Sequence, residues 1–368
     1  MRIFLCGDVM TGRGIDQILP HPGDPQLRED YLHSALDYVR LAELASGPIP
    51  RAVSFDYIWG DALAEIERRK CDARIINLET AVTAHGAPEP KGINYRMHPA
   101  NIGCIQAAGI DCCVLANNHI ADWGRQGLAD TLSTLASAGI ASAGAGLNLA
   151  QAIRPAIIPL AEEPRFFVFA LGSTWAGAPR HWAAGPARSG VSFLSDLSCD
   201  SAAAVGERIA QWRRHGDVVV ASIHWGPNWG YDIPAAHRQF ARFLIEQGNV
   251  DIVHGHSSHH PIGIEIIHGR PVIYGCGDFI NDYEGIGGHK IFGPEFALAY
   301  FVDIDESRRL AALEMVPFRM RKFRLNRLDR ASSEWLANTL LRECSSFGHQ
   351  IILNAEGVLE MRWQGPEA

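Results

Sequence analysis

The chain is punctuated by short apolar runs: "RIFLC", "ARIINL", "DCCVLA", "RFFVFAL", "DVVVASI", "VDIVHG" and "RPVIYG". Each is about five residues long and rich in Val and Ile, the size of a buried strand rather than a helix. Helical patterns fill most of the gaps, as in "QGLADTLSTLASAG" (126–139) and "PAAHRQFARFLIEQG" (234–248), where Gly248 stands at the capping position. Alternation of this kind restricts the chain to a layered α/β domain. With 368 residues, 47% of them hydrophobic, there is material for one large domain or two modest ones.

Two stretches break the rhythm. Residues 20–60 open with the Pro-rich "LPHPGDPQLRED" and continue into an inserted helix, "YLHSALDYVRLAELASG". Residues 173–200, rich in Gly, Ala, Ser and Trp, read as a long loop, the kind of segment that carries function. The end of the chain, 321–368, reads as an appendix packed on a main domain of 1–320. It has a helical segment followed by the alternating "GVLEMRW".

Charge and cysteine usage exclude several partners. A formal net charge of −8, with no basic run able to track a phosphate backbone, argues against nucleic acid. The cluster "RMRKFRLNRLDR" (319–330) reads as a solvated face. The 8 cysteines include no CxxC pair and read as small buried thiols of a reducing compartment. "MRIFLCGDVM" lacks the basic start and long apolar core of an export signal. No apolar run reaches the roughly eighteen residues of a membrane span. A cytoplasmic protein with no membrane partner is expected.

The chemistry collects where the apolar runs stop. "FLCGD" ends in Asp8, "RIINLE" in Asn77 and Glu79, and "CCVLANNH" in Asn117, Asn118 and His119. "VVVASIHWG" ends in His224, "VDIVHGHSSHH" in His254, His256, His259 and His260, and "VIYGCGDF" in Asp278. One Asp after a strand is an ordinary turn or helix cap. Together, however, these residues form the ligand inventory of a two-metal site at the carboxyl ends of strands. Such sites hold ions about 3.5–4 Å apart and activate a water between them. Carboxylates, an amide oxygen and neutral imidazoles suit Mn, Zn or Fe better than Ca or Mg. A metal would also keep the crowded imidazoles of "VHGHSSHHP" neutral and oriented.

Other residues are candidates for substrate contact. Arg13 in "TGRG" can meet a substrate carboxylate or phosphate, or serve as a structural salt bridge. "KGINYRMHP" (91–99) offers Asn94 and Arg96 to a substrate rim. Trp225, Trp229 and Tyr231 in "HWGPNWGY" divide between core and pocket wall.

The motifs "GDVMTGR", "INLET", "LANNHIADWGRQGL", "SIHWGPNW" and "HGHSSHHPIGIE…PVIYGCGDF" resemble the capsule-synthesis family typified by CapA. They cover about 1–320 in matching order, and "NDYEGIGGH" (281–289) is similar to the soluble polyglutamine synthesis accessory branch. The resemblance implies a metallophosphoesterase-like four-layer αββα sandwich with two divalent ions. Carried over by position, it implies that Asp8 ligates the first metal and that Glu79 bridges. Asn118 and His224 would bind the second metal, and His119 would be the acid/base facing the substrate. His256 matches the histidine after Gly in the final motif, with His254 or His259 as the second ligand there. One departure matters: the family's Asp-x-His reads Asp8-Val9-Met10, so one imidazole is missing.

Such a centre serves hydrolysis of a phosphoester or amide by metal-bound hydroxide, with His119 protonating the leaving group. It equally serves proton removal beside a polarised carbonyl. The resemblance implies a peptide or a substrate containing glutamate or glutamine. Three readings follow: a hydrolase-type or accessory enzyme of polyglutamate synthesis, a lasso-peptide-type epimerase, or a non-catalytic metal-binding member. Epimerisation needs a second acid/base, for which Asp278 or His259 is available.

Overall fold

In the computed structural model, which describes residues 1–160 and 165–363, the short apolar runs become strands of two stacked sheets. Among the described residues the larger sheet has ten strands and the smaller seven. β1 (Arg2–Val9), β2 (Ala73–Leu78) and β3 (Cys112–Val114) run parallel in the larger sheet. β4 (Phe166–Ser173), β5 (Val218–His224) and β6 (Ile252–His256) run parallel in the smaller one.

Side-chain alternation assigns the layers. In β1, Ile3 and Leu5 enter the core between the sheets, while Phe4 and Cys6 enter the core on the outer face. In β5, Val218 and Val220 face the other sheet, and Val219, Ala221 and Ile223 face outward. Helices α1 (Ala35–Ser46) and α2 (Gly124–Ser137) bury Val39, Ala42, Leu128 and Leu135 on the outside of the larger sheet. Helices α3 (Cys199–Trp212) and α4 (Ala235–Glu246) bury Val205, Ile209, Phe240 and Leu244 on the outside of the smaller. The result is the four-layer αββα sandwich. Strands covered on both faces read as unbroken apolar runs, which is why the pattern was so plain.

The larger sheet continues through β7 (Asp278–Ile280), β8 (Phe296–Ile304) and β9 (Leu310–Met320). β8 and β9 are long antiparallel partners that the short-run pattern does not contain. "FALAYFVDI" is apolar almost throughout, and such a run has no period separating strand from buried helix. Past residue 320, Leu325–Arg327, Gln350–Leu353 and Leu359–Arg362 add strands to this same sheet. Helix α5 (Arg330–Ser345) places Leu336, Leu340 and Cys344 in the inter-sheet core. Residues 364–368 of the expected appendix lie outside the described residues. Within 173–200, two single-turn 3-10 helices, Thr174–Ala176 and Arg180–Trp182, and two short strands, Gly190–Val191 and Phe193–Leu194, precede α3.

One irregularity positions the site. Cys6 pairs with Ile76 and Asp8 with Asn77, so Gly7 is an extra residue in β1. This bulge lets Cys6 and Val9 both face the outer core while Asp8 stays out of it. Only glycine fits there, because a Cβ on Gly7 would lie 1.7 Å from the Gly277 carbonyl oxygen.

Candidate metal centre

The carboxyl ends of strands from both sheets meet at one buried cluster. Ligand atoms of Asp8, His224 and His256 all lie within 4.8 Å of one another. His224 and His256 are in register on adjacent parallel strands, with their Nδ1 atoms 2.7 Å apart. The Nε2 atom of His224 lies 3.0 Å from Asn118 Oδ1 and 3.9 Å from Glu79 Oε1. Asp8 Oδ1 accepts from Asn77 Nδ2 at 2.7 Å, whereas its buried Oδ2 has no donor. Asp278, in register with Asp8 on β7, accepts from Asn281 Nδ2 and pairs with His259 Nδ1 at 2.9 Å.

The electrostatics are those of a site built around positive charge. Burial pushes Asp8 up to about 6, with the charge of Asp278 adding to the rise and the Asn77 amide opposing it. Burial, then the charge of Asp8, pushes Glu79 upward. Burial holds His224 and His256 well below the ordinary imidazole value, so both offer neutral nitrogens at pH 7. An orphaned carboxylate oxygen beside neutral imidazoles and an amide oxygen fits a borderline divalent ion.

Cation uptake at this cluster must then displace protons. Because burial raises both Asp8, to about 6, and Glu79, affinity falls as the pH drops and these carboxylates take up protons. The expected slope is roughly tenfold per pH unit for each displaced proton. Titration calorimetry in two buffers of different ionisation enthalpy measures it, and affinity independent of pH from 5 to 7 would contradict it.

A narrow cavity of about 70 Å³ opens onto the cluster, lined in part by Glu79, Tyr95, Asn118, His119, His224 and His259. His119 sets Nδ1 2.6 Å from Asp122 Oδ2, leaving Nε2 3.7 Å from Glu79 Oε1. Burial lowers His119 to about 4, Asp122 opposes the fall, and Lys91 adds to it. Lys91 Nζ is itself engaged by Asp122 Oδ1 at 2.6 Å and by the Asn118 carbonyl. The Tyr95 ring meets His119 edge-on at 4.5 Å, and its hydroxyl lies 2.6 Å from that of Tyr283.

Asp8, Glu79, Asn118, His119, His224, His256, His259 and Asp278 are thus brought together, but other candidates stand elsewhere. His254 is not available as a ligand: Nε2 meets the Cys6 carbonyl at 2.8 Å and Nδ1 meets Ser222 Oγ at 3.0 Å. Arg13 is a structural ion pair rather than a substrate contact. It is buried against Asp282 and Glu29 and donates to the Tyr38 hydroxyl at 2.6 Å. Arg96 packs 3.7 Å over Trp123 and donates to the Asp24 carbonyl, outside the cavity. Asn94 closes a turn by donating to the Glu89 and Lys91 carbonyls. Trp225 is core: 2% exposed, stacked on His237, and donating to the Tyr274 carbonyl. Trp229 stacks on His289 at 4.0 Å, and Tyr231 packs on His260.

Sequence reasoning missed Asn77 as a support, and Lys91, Asp122, Ser222, Tyr95 and Tyr283 altogether. Asp122 had a signal, an acid three residues after His119. The others are reached only through tertiary contacts.

The four-layer αββα sandwich thus brings carboxylates and imidazoles from its two sheets to a common strand end. Residues 2–283 match the family model described as bacterial capsule synthesis protein PGA_cap, and the chain belongs to that family. It is 46% identical over 362 residues to the probable polyglutamine synthesis accessory protein of Mycobacterium tuberculosis, covering 98% of this chain and 95% of that one. It is 27% identical to the PGA biosynthesis protein CapA of Bacillus subtilis, covering 75% of this chain and 62% of that protein. A 5'-nucleotidase precursor from Thermus thermophilus superposes with a TM-score of 0.47 at 14% identity, over 94% of this chain and 58% of that one. That likeness is too distant to bear on activity. No helix among the described residues is long and apolar enough to cross a membrane.

Proposed function

We propose that the protein is a metal-dependent, hydrolase-type enzyme serving poly-γ-glutamate or polyglutamine synthesis, acting on a peptide or γ-glutamyl amide. The observation that carries this reading is His119, whose free nitrogen lies 3.7 Å from Glu79 in the cavity that His224 also lines, while Asp122 holds the other. The polymer follows from the names of the relatives from Mycobacterium tuberculosis and Bacillus subtilis. An amide suits the cavity better than a phosphate, since no arginine is among its described lining residues and Lys91 is already engaged. The eight unpaired cysteines accord with work in the cytoplasm.

Asp8, Glu79, Asn118, His224 and His256 would hold the ion, and His259 lines the same cavity. A bound divalent ion would supply Lewis acidity and lower the pKa of water. His119 enters neutral, with Nδ1–H donated to Asp122, so Nε2 can take a proton from the attacking group. It then returns that proton to the departing nitrogen. Asp122 keeps the ring in this tautomer and stabilises it once charged.

A second reading, peptide epimerisation, draws on a mirrored arrangement. His259 is held through Nδ1 by Asp278 as His119 is by Asp122, and both rings line the same cavity. Two acid/base groups facing one substrate could remove and return an α-proton. Incubating the metal-loaded protein with γ-glutamyl oligomers and peptides in deuterated water separates the possibilities. Release of free amine is the expected result. Deuterium at an α-carbon without cleavage would select epimerisation, and tight metal binding with neither product would leave a binding role.

A further inference from the structure

The four histidines of "VHGHSSHHP" do not play equivalent parts, and the hydrogen bonds around the first two have a definite direction. The Cys6 carbonyl oxygen can only accept, so His254 Nε2, at 2.8 Å, carries the proton. The ring nitrogens of His254 meet a carbonyl and a hydroxyl but no carboxylate, an environment in which a buried imidazole stays neutral. Its Nδ1 is then an acceptor, and the Ser222 hydroxyl, 3.0 Å away, donates to it. A serine hydroxyl has one proton. Having given it to His254, Ser222 Oγ can only accept from His256 Nε2, at 2.8 Å. His256 therefore has its proton on Nε2 and an open lone pair on Nδ1. That atom lies 2.7 Å from His224 Nδ1 and 4.0 Å from Asp8 Oδ1.

We infer that His254 and Ser222 are positioning residues. Together they form a buried relay, anchored on the Cys6 carbonyl, that fixes the tautomer of His256 so that its Nδ1 lone pair faces the cation. The inference rests on the metal-centre reading above and adds what selects the ligating nitrogen. The geometry that builds the relay is simple. Ser222 and His254 are in register on β5 and β6, as are His224 and His256 two residues on. Alternation puts all four side chains on the inter-sheet face, where Cys6 of the other sheet lends its carbonyl. All three polar side chains of the relay are at most 1% exposed, so water cannot replace a missing member.

The test uses the full chain labelled with ¹⁵N-histidine, the His256 signals being identified by their loss in His256→Gln. In the metal-free protein both His254 and His256 should appear as Nε2–H tautomers. Ser222→Ala should abolish that preference at His256 and lower Mn²⁺ and Zn²⁺ affinity by about 10–100-fold, the usual effect of removing an outer partner. Ser222→Thr, which keeps the hydroxyl, should restore both. A general loss of structure would not move the tautomer alone, and circular dichroism of each variant reports that loss separately. An Nδ1–H tautomer of His256 in the parent protein would overturn the relay, as would unchanged affinity in Ser222→Ala. A parent protein that binds neither ion would instead overturn the metal-centre reading, and the relay's purpose with it.

Discussion

Replacing His256 or Glu79 with Ala leaves a protein that loses its divalent ion on dialysis, with affinity down at least about 100-fold. Removal of an outer partner alone costs roughly 10–100-fold, and these side chains would touch the ion itself. His256 presents Nδ1 at 2.7 Å from His224, while Glu79 faces both His119 and His224. His254 cannot take the place of His256, because it is bound on both nitrogens. Elemental analysis after equilibrium dialysis against Mn²⁺ or Zn²⁺ measures the effect. Retention of the parent's metal content in both variants would show that the ligands are elsewhere.

His119→Ala should do the reverse, keeping the ion and losing turnover. A positioned acid/base contributes typically 10²–10⁴-fold, and a loss in that range is expected on whichever amide substrate the parent cleaves. Asp122→Asn should fall between, since the amide still meets Nδ1 but no longer stabilises the charged ring. Parallel measurement of metal content and rate decides the matter. Full activity without His119, or loss of metal with it, would assign the ring a different task.

Much of this was legible because strands buried on both faces stop being apolar at their ends. Asp8, Asn118, His224 and His256 each follow such a run, and the topology of parallel strands gathers those ends. Three things were hidden. The bulge at Gly7 cannot be read from "FLCGDV", because what excludes a side chain there is the carbonyl of Gly277, distant in sequence. The sequence left Arg13 open between a substrate contact and a structural salt bridge, since its partners Glu29 and Asp282 come from separate segments. The "HGHSSHH" run left His254 and His259 as alternatives because strand alternation puts His254 and His256 on one face. It does not reveal that Cys6 waits on the neighbouring sheet to occupy the first of them.

Apart from the His254–Cys6 hydrogen bond, the core between the sheets is mainly apolar side chains, which pack without direction. At the cluster, Asp8 and Glu79 come from one sheet and His224 and His256 from the other. An ion held there would act as a rivet through both layers. Its binding energy would add to the cohesion of the sandwich, by an amount set by free ion concentration over dissociation constant. The cell's supply of that metal would then govern how firmly the two halves stay closed, as well as whether chemistry occurs between them.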